Sequence, residues 1–112
     1  MNVVFMGTPE FAVPSLCSLA TSTHKIAAVV TQPDRPRGRS KTPCPSPVKE
    51  KAQALGLKIL QPVNINDEPV VKQLQCLSPD CIVVVAFGQF LSNAILHLPQ
   101  YRCLNIHASL LP

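Results

Sequence analysis

An α/β fold, with a mostly parallel sheet flanked by helices, is predicted by three observations. Short β-branched, apolar runs alternate with segments of helical character along the 112 residues. The runs at residues 27–30 and 81–85 are continuously apolar, as parallel strands covered on both faces are. Each run ends in turn residues, such as Gly7-Thr8-Pro9, Gln32-Pro33-Asp34, Gln61-Pro62 and Ala86-Phe87-Gly88.

The elements follow in order. Residues 2–6 form the first strand, and Gly7-Thr8-Pro9-Glu10 breaks it, with Thr8 placed to cap a helix and Pro9 suited to its first turn. Pro14 lacks an amide hydrogen and clashes with the preceding turn. One short turn from Pro9 and a restarted helix over about residues 14–20 are therefore predicted. Residues 25–31 are the second strand. Residues 32–47 hold five prolines and one glycine, which predicts a long exposed loop. Ser46 then caps a helix over residues 47–55 that opens on Pro47 and stops at Gly56. A short third strand at residues 58–60 precedes a helix capped by Asn66 and running to about Cys76. Residues 81–85 are the fourth strand, 90–98 a short helix or loop, and 101–106 the fifth strand. Right-handed crossovers between such strands give a Rossmann-like sheet. No internal repeat is present, and one domain that stops short of completion is the economical reading of residues 1–112.

With 46% hydrophobic and 14% charged residues, the chain has the apolar surface for a core and is not disordered as a whole. The longest apolar run, residues 81–87, falls far short of the roughly 20 residues that span a bilayer. The start lacks the basic and apolar segments of a secretory signal, so a cytosolic protein is expected, without a membrane partner. The five cysteines, Cys17, Cys44, Cys76, Cys81 and Cys103, are odd in number and contain no C-x-x-C pair. That pattern argues against a disulfide framework and a zinc site, so no metal is expected.

Charge is concentrated. Arg35, Arg37, Arg39, Lys41 and Lys49 make up half of the ten basic residues, with Asp34 the one acid among them. Basic residues without interleaved aromatics suit phosphate contacts rather than base stacking, although a merely solvated loop has the same composition. The first turn has Gly7 alone and not G-x-G-x-x-G, which excludes a nicotinamide cofactor bound in the dinucleotide manner. Asn105 and His107 fall on one side of the fifth strand at its carboxyl end, where open α/β sheets bind ligands. An amide donor beside an imidazole can stabilise an oxyanion and move a proton at neutral pH; a structural hydrogen-bonding histidine is the simpler alternative. Residues 109–112 and 86–91 follow neighbouring strand ends and can line the same crevice, with Phe87 and Phe90 offering either apolar walls or core packing.

Taken together, Phe5-Met6-Gly7-Thr8-Pro9-Glu10-Phe11, Thr31-Gln32-Pro33-Asp34-Arg35-Pro36, Pro45-Ser46-Pro47-Val48-Lys49, Val84-Val85-Ala86-Phe87-Gly88 and the segment from Leu104 to Pro112 resemble the methionyl-tRNA formyltransferases. The resemblance covers essentially the whole chain. Its asparagine-histidine element is shared with the wider formyltransferases that use 10-formyltetrahydrofolate, whereas the basic proline-rich loop and Pro-Ser-Pro-Val-Lys point to the tRNA enzyme. It implies formyl transfer from 10-formyltetrahydrofolate to the amine of initiator methionyl-tRNA, with Asn105 and His107 catalytic. Ser109, Leu110, Leu111 and Pro112, and the backbone of Ala86, Phe87 and Gly88, would then lie near folate. Arg35, Arg37, Arg39 and Lys41 would face the tRNA, Arg39 foremost.

The family's catalytic aspartate and its carboxyl-terminal tRNA-binding domain lie beyond Pro112, and Phe87 stands where a tyrosine is usual. The parent is expected to be a monomer, and the 112 residues alone are expected to be marginally stable or to associate, without turnover. A formyltransferase acting on a small amine, or a noncatalytic folate- or nucleotide-binding module, are the competing expectations.

Overall fold

The computed structural model describes residues 1–36, 38, 39 and 41–106. Five strands, β1 (Asn2–Gly7), β2 (Lys25–Val30), β3 (Ile59–Leu60), β4 (Cys81–Val85) and β5 (Arg102–Ile106), form one sheet in the order β3-β2-β1-β4-β5. Every pairing is parallel. The helices are α1 (Val13–Ala20), α2 (Pro47–Ala54), α3 (Glu68–Cys76) and the single turn α4 (Asn93–Leu96).

The strand order dictates where the helices lie. From β1 the chain winds outward through β2 to β3, then returns past β1 to β4 and β5, so the winding direction reverses. Right-handed crossovers in opposite directions put their helices on opposite faces. Accordingly Val3, Phe5, Val29, Val83 and Val85 pack under Leu16 of α1 and Val48 and Ala52 of α2. Val4, Met6, Val30, Ile82 and Val84 form the other face with Ile65, Leu74 of α3 and Ile95 of α4. Alternate residues of β1 and β4 thus serve two cores, which is why both strands read as unbroken apolar runs.

Local signals explain most element boundaries. A 3-10 turn at Glu10–Ala12 precedes α1, which carries Pro14 in its first turn. Ser46 caps α2 by accepting the amide hydrogen of Lys49 at 3.0 Å, with Pro47 as the first helical residue. Two expected caps are corrected. Thr8 caps nothing: Pro9 precedes the 3-10 turn, and the Thr8 hydroxyl donates instead to the Phe87 carbonyl at 2.7 Å. The N-cap position of α3 is held by Asp67, without a capping side-chain hydrogen bond, rather than by Asn66, whose side chain is drawn off to the Phe90 carbonyl and the Ser92 amide.

The fifth strand is an edge in these residues, with Leu104 and Ile106 40% and 43% exposed. Among the described residues, no helix is long and apolar enough to cross a membrane.

Candidate functional site

Strand order reverses between β2 and β4 on either side of β1, and the carboxyl ends of these strands enclose a crevice. A cavity of about 610 Å³ occupies it, with Thr8, Pro9, Gln32, Arg35, Ala86 and Gly88 among its walls. A depression of about 410 Å³ at the other end of the sheet, beside Ser78, Pro79 and His97, lies where parallel sheets do not build ligand sites.

The crevice walls are loops, and side chains hold them together. Thr8, just past β1, donates to the Phe87 carbonyl beyond β4 and accepts from the Gln32 amide beyond β2 at 3.4 Å. Gln32 donates from Nε2 to the Gly88 carbonyl at 3.0 Å and accepts at Oε1 from Gln89 at 2.8 Å. Gln89 also donates to the Pro62 carbonyl at 3.1 Å and accepts from the Ile65 amide at 2.7 Å. Gln61 donates to the Gln32 carbonyl at 3.2 Å and to Asp34 Oδ1 at 2.7 Å. The carboxyl ends of β1, β2, β3 and β4 are thereby joined through Thr8 and three glutamines.

The basic loop is fastened at its root. Thr31 and Ser46 are both buried and share a hydroxyl–hydroxyl hydrogen bond of 2.6 Å. Arg35 and Cys44 then exchange two backbone hydrogen bonds, of 2.9 and 3.1 Å, as an antiparallel bridge. Lys49 is turned inward, its ammonium 3.0 Å from Asp34 Oδ1, so of the basic cluster it is spoken for. The hydrogen bond from Gln61, and next that from Lys49, hold the Asp34 carboxyl below the usual carboxylate range. Arg39 and Lys41 are exposed on the far side of the bridge, and Arg35 stands on the cavity wall.

Ala86 adopts φ 52° immediately after β4, a left-handed conformation that costs an alanine about 1 kcal/mol or more. It turns the chain over the crevice, and Gly88, at φ 97°, completes the turn. The Phe87 ring is not an open wall: the residue is 2% exposed and belongs to the core with Val84 and Ile95. Phe90, 83% exposed, is not core.

Asn105 is exposed, pairs with Val84, and lies across from the strand end that leads into Ala86. It is not among the residues lining the cavity. The structure thus brings Ala86, Phe87, Gly88 and Arg35 around one crevice, with Asn105 one strand away. His107, Ser109, Leu110, Leu111, Pro112 and Arg37 lie outside the described residues. Thr8, Gln32 and Gln61 were not given a place in the site from sequence, and Gln89 only as part of residues 86–91; each follows a predicted apolar strand within four residues, the one local sign that could have marked them. Among the described residues no cluster of three or more His, Cys, Asp or Glu side chains could hold a metal ion. Burial pushes the Cys81 and Cys103 thiols up, away from the thiolate form a nucleophile needs.

Comparison with known proteins adds sequence and fold relatives. A family model described as formyl transferase matches residues 1–112. The methionyl-tRNA formyltransferases of Lachnospira eligens and Moorella thermoacetica are 55% and 56% identical over 112 residues, the whole of this chain. That of Halothermothrix orenii is 57% identical over 113 residues. The chain spans 36% of the length of each. Among solved structures, glycinamide ribonucleotide transformylase 1 from Symbiobacterium toebii superposes with a TM-score of 0.63 at 18% identity, over 100% of this chain and 53% of that one. Phosphoribosylglycinamide formyltransferase from Anaplasma phagocytophilum gives 0.66 at 18%, over 99% and 50%. At such identity these two speak for the fold.

Proposed function

The chain belongs to the formyl transferase family, and from that premise we propose that it is the first part of a longer enzyme that formylates initiator methionyl-tRNA with 10-formyltetrahydrofolate. The observation that carries the choice of substrate is the basic loop fastened to the rim of the crevice. A segment with several cations beside a reaction site suits a polyanionic nucleic-acid substrate, whereas a small amine offers one phosphate at most. Relatives 55–57% identical over the whole of this chain bear the tRNA enzyme's name.

In this reading the lone pair of the methionyl amine attacks the formyl carbon of the folate. The carbonyl oxygen gains charge as the carbon becomes tetrahedral, and the new C–N bond survives when the bond to N10 of the folate breaks. The Asn105 amide donates to that oxygen, and His107 carries a proton between the attacking and departing nitrogens. The backbone of Ala86 to Gly88 and the segment Ser109, Leu110, Leu111 and Pro112 face the folate. Arg35, Arg37, Arg39 and Lys41 meet the acceptor stem, with Arg39 the principal contact. An acid and a tRNA-binding domain carried beyond Pro112 complete the machinery, and the protein works in the cytosol.

The test is formyl transfer from 10-formyltetrahydrofolate, comparing the 112 residues with a polypeptide extended to the relatives' length. Transfer to methionyl-tRNA by the extended form alone is the expected result. An extended form that folds, binds folate and formylates glycinamide ribonucleotide but not methionyl-tRNA would overturn the reading.

A further inference from the structure

Gln32 reaches across the crevice from the β2 side to the β4 side, and both ends of its carboxamide are engaged there. The wall it meets is shaped to receive it. A Cβ on Gly88 would lie 2.8 Å from Gln32 Nε2, so glycine at that position makes room for the amide as well as for the positive φ. Gln89 fastens the far end of the contact to Pro62 and Ile65, beyond β3. A glutamine fixed at both ends of its amide gives up most of its rotamer freedom. These amides satisfy backbone groups of Gly88, Pro62 and Ile65, and they do so across the crevice rather than within one turn.

We propose that Gln32 and Gln89 are positioning residues for the transfer reaction, forming a strut that sets the width of the crevice and holds the basic loop in register with the wall at Ala86 and Gly88. Gln32 leads directly into Pro33, Asp34 and Arg35, so its side chain anchors the stem of the loop. Asp34, held by Gln61 and Lys49, is the second anchor on the same stem. The strut acts on the substrate through the loop, and its role in catalysis rests on the functional reading above.

The test uses the enzyme at the relatives' length, with Gln32→Met, Gln89→Met and the double variant. Methionine keeps the length of the side chain and removes the amide. Either single substitution should raise KM for methionyl-tRNA about tenfold, the effect of one or two lost hydrogen bonds. KM for 10-formyltetrahydrofolate should rise less than that for methionyl-tRNA, because the wall at Gly88 is touched by the strut while the loop depends on it, and the double variant should be no worse than the worse single one, because both remove the same strut. Hydrogen exchange at the Arg35 and Cys44 amides should quicken in Gln32→Met while exchange in β1 and β4 is unchanged.

Unchanged KM for methionyl-tRNA, a fall in kcat alone, or multiplying effects in the double variant would each overturn the proposal. Should Gln89→Met fail to fold, Gln32→Met decides alone, since the described contacts of its amide are with Gly88 and Gln89 only. The exchange measurement needs no substrate. Unchanged exchange in Gln32→Met overturns the strut even if the enzyme formylates methionyl-tRNA, and inactivity of the wild type on methionyl-tRNA overturns the functional reading while exchange still judges the strut.

Discussion

Gly7→Ala tests how closely the floor of the crevice is packed. Gly7 ends β1 with an ordinary negative φ, so alanine meets no backbone obstacle there, and the lower entropy of its unfolded chain would by itself stabilise the protein by about 0.5–1 kcal/mol. Space decides otherwise. The added methyl would stand 2.9 Å from each of Ala12 Cβ, Phe5 Cε2 and the Val85 carbonyl oxygen. Phe5 and Ala12 are fully buried, and Val85 is the β4 partner of Gly7, so none can retreat without moving the sheet or the turn above it. Overpacking of this kind costs about 1–3 kcal/mol, and three simultaneous contacts belong at the upper end. The net expectation is a loss of about 2 kcal/mol, read as a lower urea midpoint at unchanged slope in chains of equal length. A variant as stable as the parent, or more so, would refute the packing argument. Adding Ala12→Gly to Gly7→Ala should restore only part of the loss, because it relieves one contact of three.

Other expectations follow from the same structure. Ser46→Ala removes the cap of α2 and strands the buried Thr31 hydroxyl, and should cost about 2 kcal/mol by denaturant titration, whereas Thr31→Val with Ser46→Ala should cost less because the cap is lost but no buried hydroxyl is left stranded. Asp34 has a lowered folded pKa, so its stabilising contribution is complete above the ordinary aspartate value of about 4 and is lost as pH falls through the folded value. The stability difference between wild type and Asp34→Asn should therefore be flat from neutral pH downward and shrink only below about pH 4. A thiol reagent at neutral pH should label exposed Cys76 well before buried Cys81, with Cys81 reacting only on unfolding; mass mapping of the labelled cysteines checks the order. Arg39→Ala in the relatives' length should weaken methionyl-tRNA binding and flatten its dependence on salt while folate binding is retained.

What could be read from sequence was whatever is fixed by neighbours along the chain. β4 was placed to the residue because five apolar residues lie between Asp80 and Ala86, and α2 was placed because Ser46 and Pro47 write its start locally. Thr31, assigned to the end of β2, lies one residue past it with its amide still bonded to the Leu60 carbonyl of β3, and its hydroxyl meets Ser46. Thr8 and Asn66 were misread for one reason: each is a good cap in isolation, but a partner 79 or 24 residues away took its side chain. The crevice's amide network is of this kind throughout, with partners 57 residues apart between Gln32 and Gln89. Asn105 was correctly set on the fifth strand, and nothing in its local sequence said that the cavity would open between β1, β2 and β4 instead of beside it.

The buried Thr31–Ser46 bond and the Arg35–Cys44 bridge divide the basic segment into a stem and a tip. The stem brings the chain together at Arg35 and Cys44, so the length of sequence between them adds only a slowly growing closure entropy. Insertions or charge changes in the tip therefore leave the sheet and α2 nearly untouched, while one extra residue inside the stem shifts the register of both. The sequence between the two bridge residues can thus change without refolding the domain, and libraries that randomise it should return folded proteins far more often than libraries placed two residues to either side.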